Sequence, residues 1–93
     1  MAVPDYVVVF DEAMRAWVID EDPPLDEFDA VDDWLTSLEN DGPPPVVAHS
    51  VTGLRIAEGP HGVRIHFDVI AAPLGLEPPY GIVAVKRIRS SGR

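Results

Sequence analysis

Basic and ionisable side chains alternate with apolar ones in Val63-Arg-Ile-His-Phe-Asp-Val69, the stretch whose spacing says most about chemistry. Read as a strand, it sends Val63, Ile65, Phe67 and Val69 to one face and Arg64, His66 and Asp68 to the other. Arginine beside histidine on an open face suits phosphate chemistry. A guanidinium grips phosphoryl oxygens in bidentate fashion, and an imidazole that titrates near neutrality moves a proton. Further bases lie at Arg55 upstream and at Lys86, Arg87 and Arg89 downstream. On the downstream run Val83, Val85, Arg87 and Arg89 share one parity, while Ala84, Lys86 and Ile88 share the other. A twist or bulge must therefore decide which bases join Arg64, and Arg87 is the expected partner. The expected catalytic set is Arg64, His66 and Arg87, with Arg55, Lys86 and Arg89 binding the substrate.

Two plainer readings compete with this one. Alternate polar residues on a strand also face water with no chemical role, Asp68 then neutralising Arg55 or Lys86. A metal reading joins His66 and Asp68, which point the same way, to His49 or His61 from a neighbouring segment. No ligand motif accompanies these residues, so neither a metal nor a cofactor is expected. His61, in Gly-Pro-His-Gly, reads as an exposed turn residue, and Trp17, Trp34 and Tyr80 read as packing aromatics. The chain has no Ser/His/Asp order and no phosphate-cradling glycine loop.

The elements that must position these residues read as an α+β fold. Tyr6-Val-Val-Val-Phe10 is a first strand, rich in β-branched and aromatic residues. Residues 12–20 read two ways. Asp11 caps a short helix carrying Ala13, Met14, Trp17 and Val18, or Ala16-Trp-Val-Ile19 returns as a hairpin strand; the helix is taken. Asp22-Pro23-Pro24 is a loop, because proline lacks an N–H and disfavours helix in the residue before it. From about Glu27 to Glu39, Phe28, Val31, Leu35 and Leu38 recur at helical spacing, with acids crowding the positive N-terminal end and Asn-Asp-Gly-Pro closing it. Pro43-Pro44-Pro45 then spaces the helix from three strands, Val46 to Ala57, Val63 to Ala71 and Tyr80 to Ile88, expected as an antiparallel meander. The helices cover one face of this sheet and the other is left to function.

At 93 residues the chain makes one domain. It has no cysteine, which excludes disulfides and thiolate zinc sites and points to the cytoplasm. No basic leader precedes a long apolar core, and no apolar run approaches the ~20 residues that cross a bilayer, so no membrane role is expected. The net charge of −9 opposes nucleic acid unless positive charge is gathered in one place. It is gathered. Residues 1–45 hold thirteen of the sixteen acids and a single base, Arg15, whereas the rest holds Arg55, Arg64, Lys86, Arg87, Arg89 and Arg93 against three acids.

Two stretches, GLRIAEGPHGVRIHFDVI and YGIVAVKRIRS, resemble the rear half of the RelE/ParE toxin superfamily and, with the connection between them, span about 40 of the 93 residues. The matching features are Leu54-Arg55, Gly62, the strand Arg64 to Val69, and the final strand Val83-Ala-Val-Lys-Arg-Ile-Arg89. The resemblance implies a strand and helices ahead of an antiparallel meander, and a type II toxin paired with an antitoxin. In its RelE branch it implies a ribosome-dependent mRNA endonuclease that uses the RNA 2′-hydroxyl as nucleophile, with Arg64 and Arg87 steadying the phosphate. In its ParE branch it implies an inhibitor of DNA gyrase. The C-terminal tyrosine or histidine of several members is missing from Arg89-Ser-Ser-Gly-Arg93, which leaves His66 as the proton-transfer residue. The Pro-rich 72–79 connection and the acidity of the chain also depart from the family pattern.

A reading from another class makes the protein a non-catalytic interaction or regulatory module. Asp29, Asp32 and Asp33 on the second helix would then bind a basic protein partner while the sheet supports them.

Overall fold

A computed structural model describes the backbone of residues 5–71 and 80–90 and the side chains of 6–70 and 81–90. The side chain of Tyr80 and the Pro-rich connection 72–79 lie outside these. The chain runs β1 (Asp5–Val9), α1 (Asp11–Glu21), α2 (Leu25–Asp41), β2 (Ala48–His49), β3 (Arg55–Glu58), β4 (Arg64–Ala71) and β5 (Tyr80–Arg89), with a short 3-10 turn at Pro60–Gly62. It is an α+β protein with a five-stranded mixed sheet in the order β1-β5-β4-β3-β2.

Residues 12–20 are helical. Ala13, Met14 and Trp17 are buried together, an i, i+1, i+4 set that a hairpin strand would split between two faces. Asp11 is the first helical residue and not the cap; Phe10 holds that place with no side-chain cap bond. The helix closes on Asp22, which adopts a left-handed conformation (φ 46°) and donates its N–H to Val18 O. α2 extends two residues beyond the expected helix at each end, from Leu25 to Asp41, and Gly42 ends it by donating to Leu38 O.

The expected three-stranded meander is corrected in two respects. Val46 to Ala57 is not one strand but two, because the chain turns at Ser50-Val-Thr-Gly53. Ser50 O accepts from Gly53 N, Ser50 Oγ accepts from Leu54 N, and Gly53 takes φ +89°, a conformation costly for any residue with a Cβ. The antiparallel part therefore has four strands, β2 to β5. Secondly, β1 joins the sheet parallel to β5, with Asp5 opposite Tyr80 and Val9 opposite Ala84.

The core lies on one face. Val63, Ile65 and Phe67 are wholly buried, and they form a single cluster with Ala13, Met14 and Trp17 of α1 and Val31, Leu35 and Leu38 of α2. Val69 packs against the cluster half-buried, so the alternation expected for β4 holds along its length. α1 rests on β5, and α2 on β1 and the 3-10 turn.

Candidate functional site

Register decides which bases meet His66. β4 and β5 pair with Arg64 opposite Arg89, Ile65 opposite Ile88 and His66 opposite Arg87; the register then shifts, so that Phe67 faces Val85. Lys86 is the extra residue of a β-bulge. The bulge moves the buried parity of β5 from Val83 and Val85 to Ile88, and it delivers both Arg87 and Arg89 to the face of Arg64 and His66. On the far side β3 places Ile56 opposite His66 and Glu58 opposite Arg64. The outer face thus carries two adjoining rows, one with Ile56, His66 and Arg87 and one with Glu58, Arg64 and Arg89.

Arg64, Arg87 and Arg89 are exposed, whereas His66 is half-buried. Burial pushes the His66 imidazole below its ordinary pKa, and the positive charges of Arg87 and then Arg89 push it further the same way. At neutral pH this imidazole is uncharged and free to accept a proton, and it is flanked by guanidinium groups suited to anionic oxygens.

The other candidates are placed differently. Arg55 stands opposite Phe67 and donates from Nη1 to Asp68 Oδ1 at 3.0 Å, an oxygen that also accepts the Val69 N–H. Of the two partners expected for Asp68, Arg55 is therefore the one it has. Lys86 is exposed on the bulge and lines a cleft beside α1. Asp29 and Asp33 are exposed and Asp32 is half-buried, on the side of α2 away from Val31, Leu35 and Leu38. His61 is exposed in its turn with φ 60°, and His49 is exposed on β2. Among the described residues no three His, Asp or Glu side chains come together at a metal position. Among the described residues, too, no helix is long and apolar enough to cross a membrane.

One cluster escaped the sequence reading. Trp17 packs with 1 % exposure and stacks on Phe28, and its Nε1–H also donates to Ser90 Oγ at 2.9 Å. Ser90 Oγ donates in turn to Glu27 Oε2 at 3.2 Å, and Ser90 N–H to Glu21 Oε1 at 3.2 Å. Glu21 Oε2 lies 3.6 Å from Arg89 Nε. The acids of the helices do not all face water: Glu27 is buried and, with Glu21, holds the end of β5 to the helices. The local signal was faint, a serine directly after the basic strand end.

Compared with known proteins, the chain matches no family model, no curated protein and no solved structure.

Proposed function

We propose that this protein is a RelE/ParE-like toxin of a type II toxin–antitoxin pair, acting as a metal-independent endoribonuclease. The observation that carries the reading is a half-buried His66, its pKa lowered, directly across from Arg87, with Arg64 and Arg89 beside Glu58 in the adjoining row of the outer sheet face. The order of a strand, two helices and then antiparallel strands agrees with what the resemblance implies. In the proposed reaction an RNA 2′-oxygen attacks the adjacent phosphorus and gives its proton to His66. The P–O5′ bond breaks, and the 5′-oxygen leaves with a proton from solvent. Arg64 and Arg87 stabilise the charge that gathers on the non-bridging oxygens, leaving a cyclic phosphate and a free 5′-hydroxyl.

Growth after induction, with and without a co-expressed neighbouring antitoxin, and cleavage of RNA by the purified protein test the reading together. Arg64→Ala, Arg87→Ala and His66→Gln are each expected to lower cleavage by at least about a hundredfold while far-UV circular dichroism is unchanged. Full activity in all three variants would remove the site. A gyrase-directed inhibitor would instead arrest growth without cutting RNA.

A second reading is favoured by the exposed acids Asp29 and Asp33, which have no ion-pair partner among the described residues. Here the helical face binds a basic protein partner. Lysine substitution at Asp29, Asp32 and Asp33 would then abolish partner capture, whereas the arginine variants would leave it intact.

A further inference from the structure

The helices cover one face of the sheet, so the rows on the other, Ile56 with His66 and Arg87 and Glu58 with Arg64 and Arg89, carry no packed element. Three arginines stand there against one acid, Glu58, at the β3 end of its row. Arg64 and Arg87 are exposed and have no ion-pair partner among the described residues, while Arg89 lies 3.6 Å from Glu21. Arg87 and Arg89, two residues apart on β5, are separated by about 7 Å, and Arg64 is the cross-strand neighbour of Arg89.

The same chain holds a surface of opposite sign and similar size. Asp26, Asp29 and Asp33 are exposed on α2, and their spacing sets them in one stripe about 10 Å long. None of the three has an ion-pair partner among the described residues.

We infer that the outer sheet face docks α2 of a second copy of this chain, the Asp26, Asp29 and Asp33 stripe lying over Arg64 and Arg87 with Arg89 at its margin. Glu58 keeps the stripe over β4 and β5 and away from β3. Guanidinium groups take carboxylates in bidentate fashion, so sign, number and length all match across the contact. The two copies repel through their net charge of −9. That repulsion is screened beyond a Debye length of about 8 Å at physiological salt, whereas the paired groups touch within it. The contact is heterologous, because the docking face and the docked helix are different surfaces of one chain, and each docked pair keeps one of each free. The inference rests on the second reading above, that the helical face binds a basic protein, and names that protein. Under the endonuclease reading Arg64 and Arg87 also hold phosphate, so a docked copy and RNA exclude each other.

Sedimentation velocity in about 0.15 M salt is expected to show self-association that strengthens with protein concentration, is half complete near about 0.3 mM, and is lost in about 1 M salt. Asp29→Asn with Asp33→Asn removes the stripe, and Arg64→Gln with Arg87→Gln removes the face. Each pair of exposed substitutions should leave a folded monomer, as read by circular dichroism and sedimentation. Mixed in equal amounts, the two variants should form pairs that grow no further, since one brings an intact face and the other an intact helix. A wild-type chain that stays monomeric, a mixture that stays monomeric, or association that strengthens with salt overturns the inference. An octalysine peptide, followed by two-dimensional NMR, then separates it from the reading beneath it. Shifts of the Asp29 and Asp33 amides would keep the helical face as a site for some other basic partner, and their absence would remove that reading as well.

Discussion

His66 owes its neutrality to its surroundings, since no hydrogen-bond partner fixes it among the described residues while burial and two arginines disfavour its charged form. Removing one cause should move the imidazole measurably: Arg87→Ala is expected to raise the His66 pKa, as followed by its carbon-bound proton shifts against pH. The recovery should be partial, because burial is the larger cause and survives the substitution. The same shift sets a sign for stability. A folded pKa below the unfolded value of about 6.5 means that the unfolded chain takes the proton more readily. His66 therefore costs nothing above about pH 6.5, and stability is lost as pH falls from there through the lower folded pKa. His66→Gln should flatten this part of a stability-against-pH curve; an unchanged slope would assign it to other groups. Arg55 and Asp68 contrast with this, since their pair is about half exposed and contributes at most about 1 kcal/mol.

Among the elements, β5 depends most on its attachments. Ser90 joins its end to both helices by accepting from Trp17 and donating to Glu27 and Glu21. Ser90→Ala would leave the Trp17 indole N–H and the buried Glu27 carboxylate without that partner, at a cost of about 1–3 kcal/mol, read by chemical denaturation. Under the proposed endonuclease reading, its effect on cleavage should follow from loosening of Arg89 and not from lost chemistry. At the other end of the sheet, a Cβ on Gly59 would come 2.5 Å from the Trp34 ring. Gly59→Ala should therefore destabilise by about 1–3 kcal/mol, and Trp34→Leu in the same chain should recover part of that loss. These attachments mark the limit of what was legible in advance. The β4 alternation was plain because period two with buried Val63, Ile65 and Phe67 admits one arrangement. α2 was plain for the matching reason at period 3.6, whereas residues 12–20 satisfied both periods until packing of Trp17 chose between them. The bulge left a trace, the three-residue step from Val85 to Ile88, without saying where Arg87 would point. The turn at Gly53 was hidden inside a run of β-forming residues. The joining of β1 to β5 and the role of Ser90 are long-range, and no local pattern encodes them.

Most of the described acids lie on α1 and α2, while Arg64, Arg87 and Arg89 gather at one end of β4 and β5, with Glu58 and Glu21 beside them. An overall charge of −9 thus coexists with a local patch able to hold phosphate. If each of the three arginines neutralises one phosphate of a single strand, log K should fall with log salt at a slope near about −2, and Arg87→Ala should reduce that slope by roughly 0.7. Charge reversal at Asp29 and Asp33 should leave it unaltered. The parallel pairing of β1 with β5 bears on when any of this exists. The first strand of the chain cannot be paired until the last has been made, and the loop it closes spans nearly the whole domain. During synthesis on the ribosome, both the core, which needs Val83, Val85 and Ile88, and the basic patch, which needs Arg87 and Arg89, must wait for the final strand to emerge. A chain made only as far as β4 would therefore lack the partner of β1, part of the core and two of the three arginines of the proposed phosphate site.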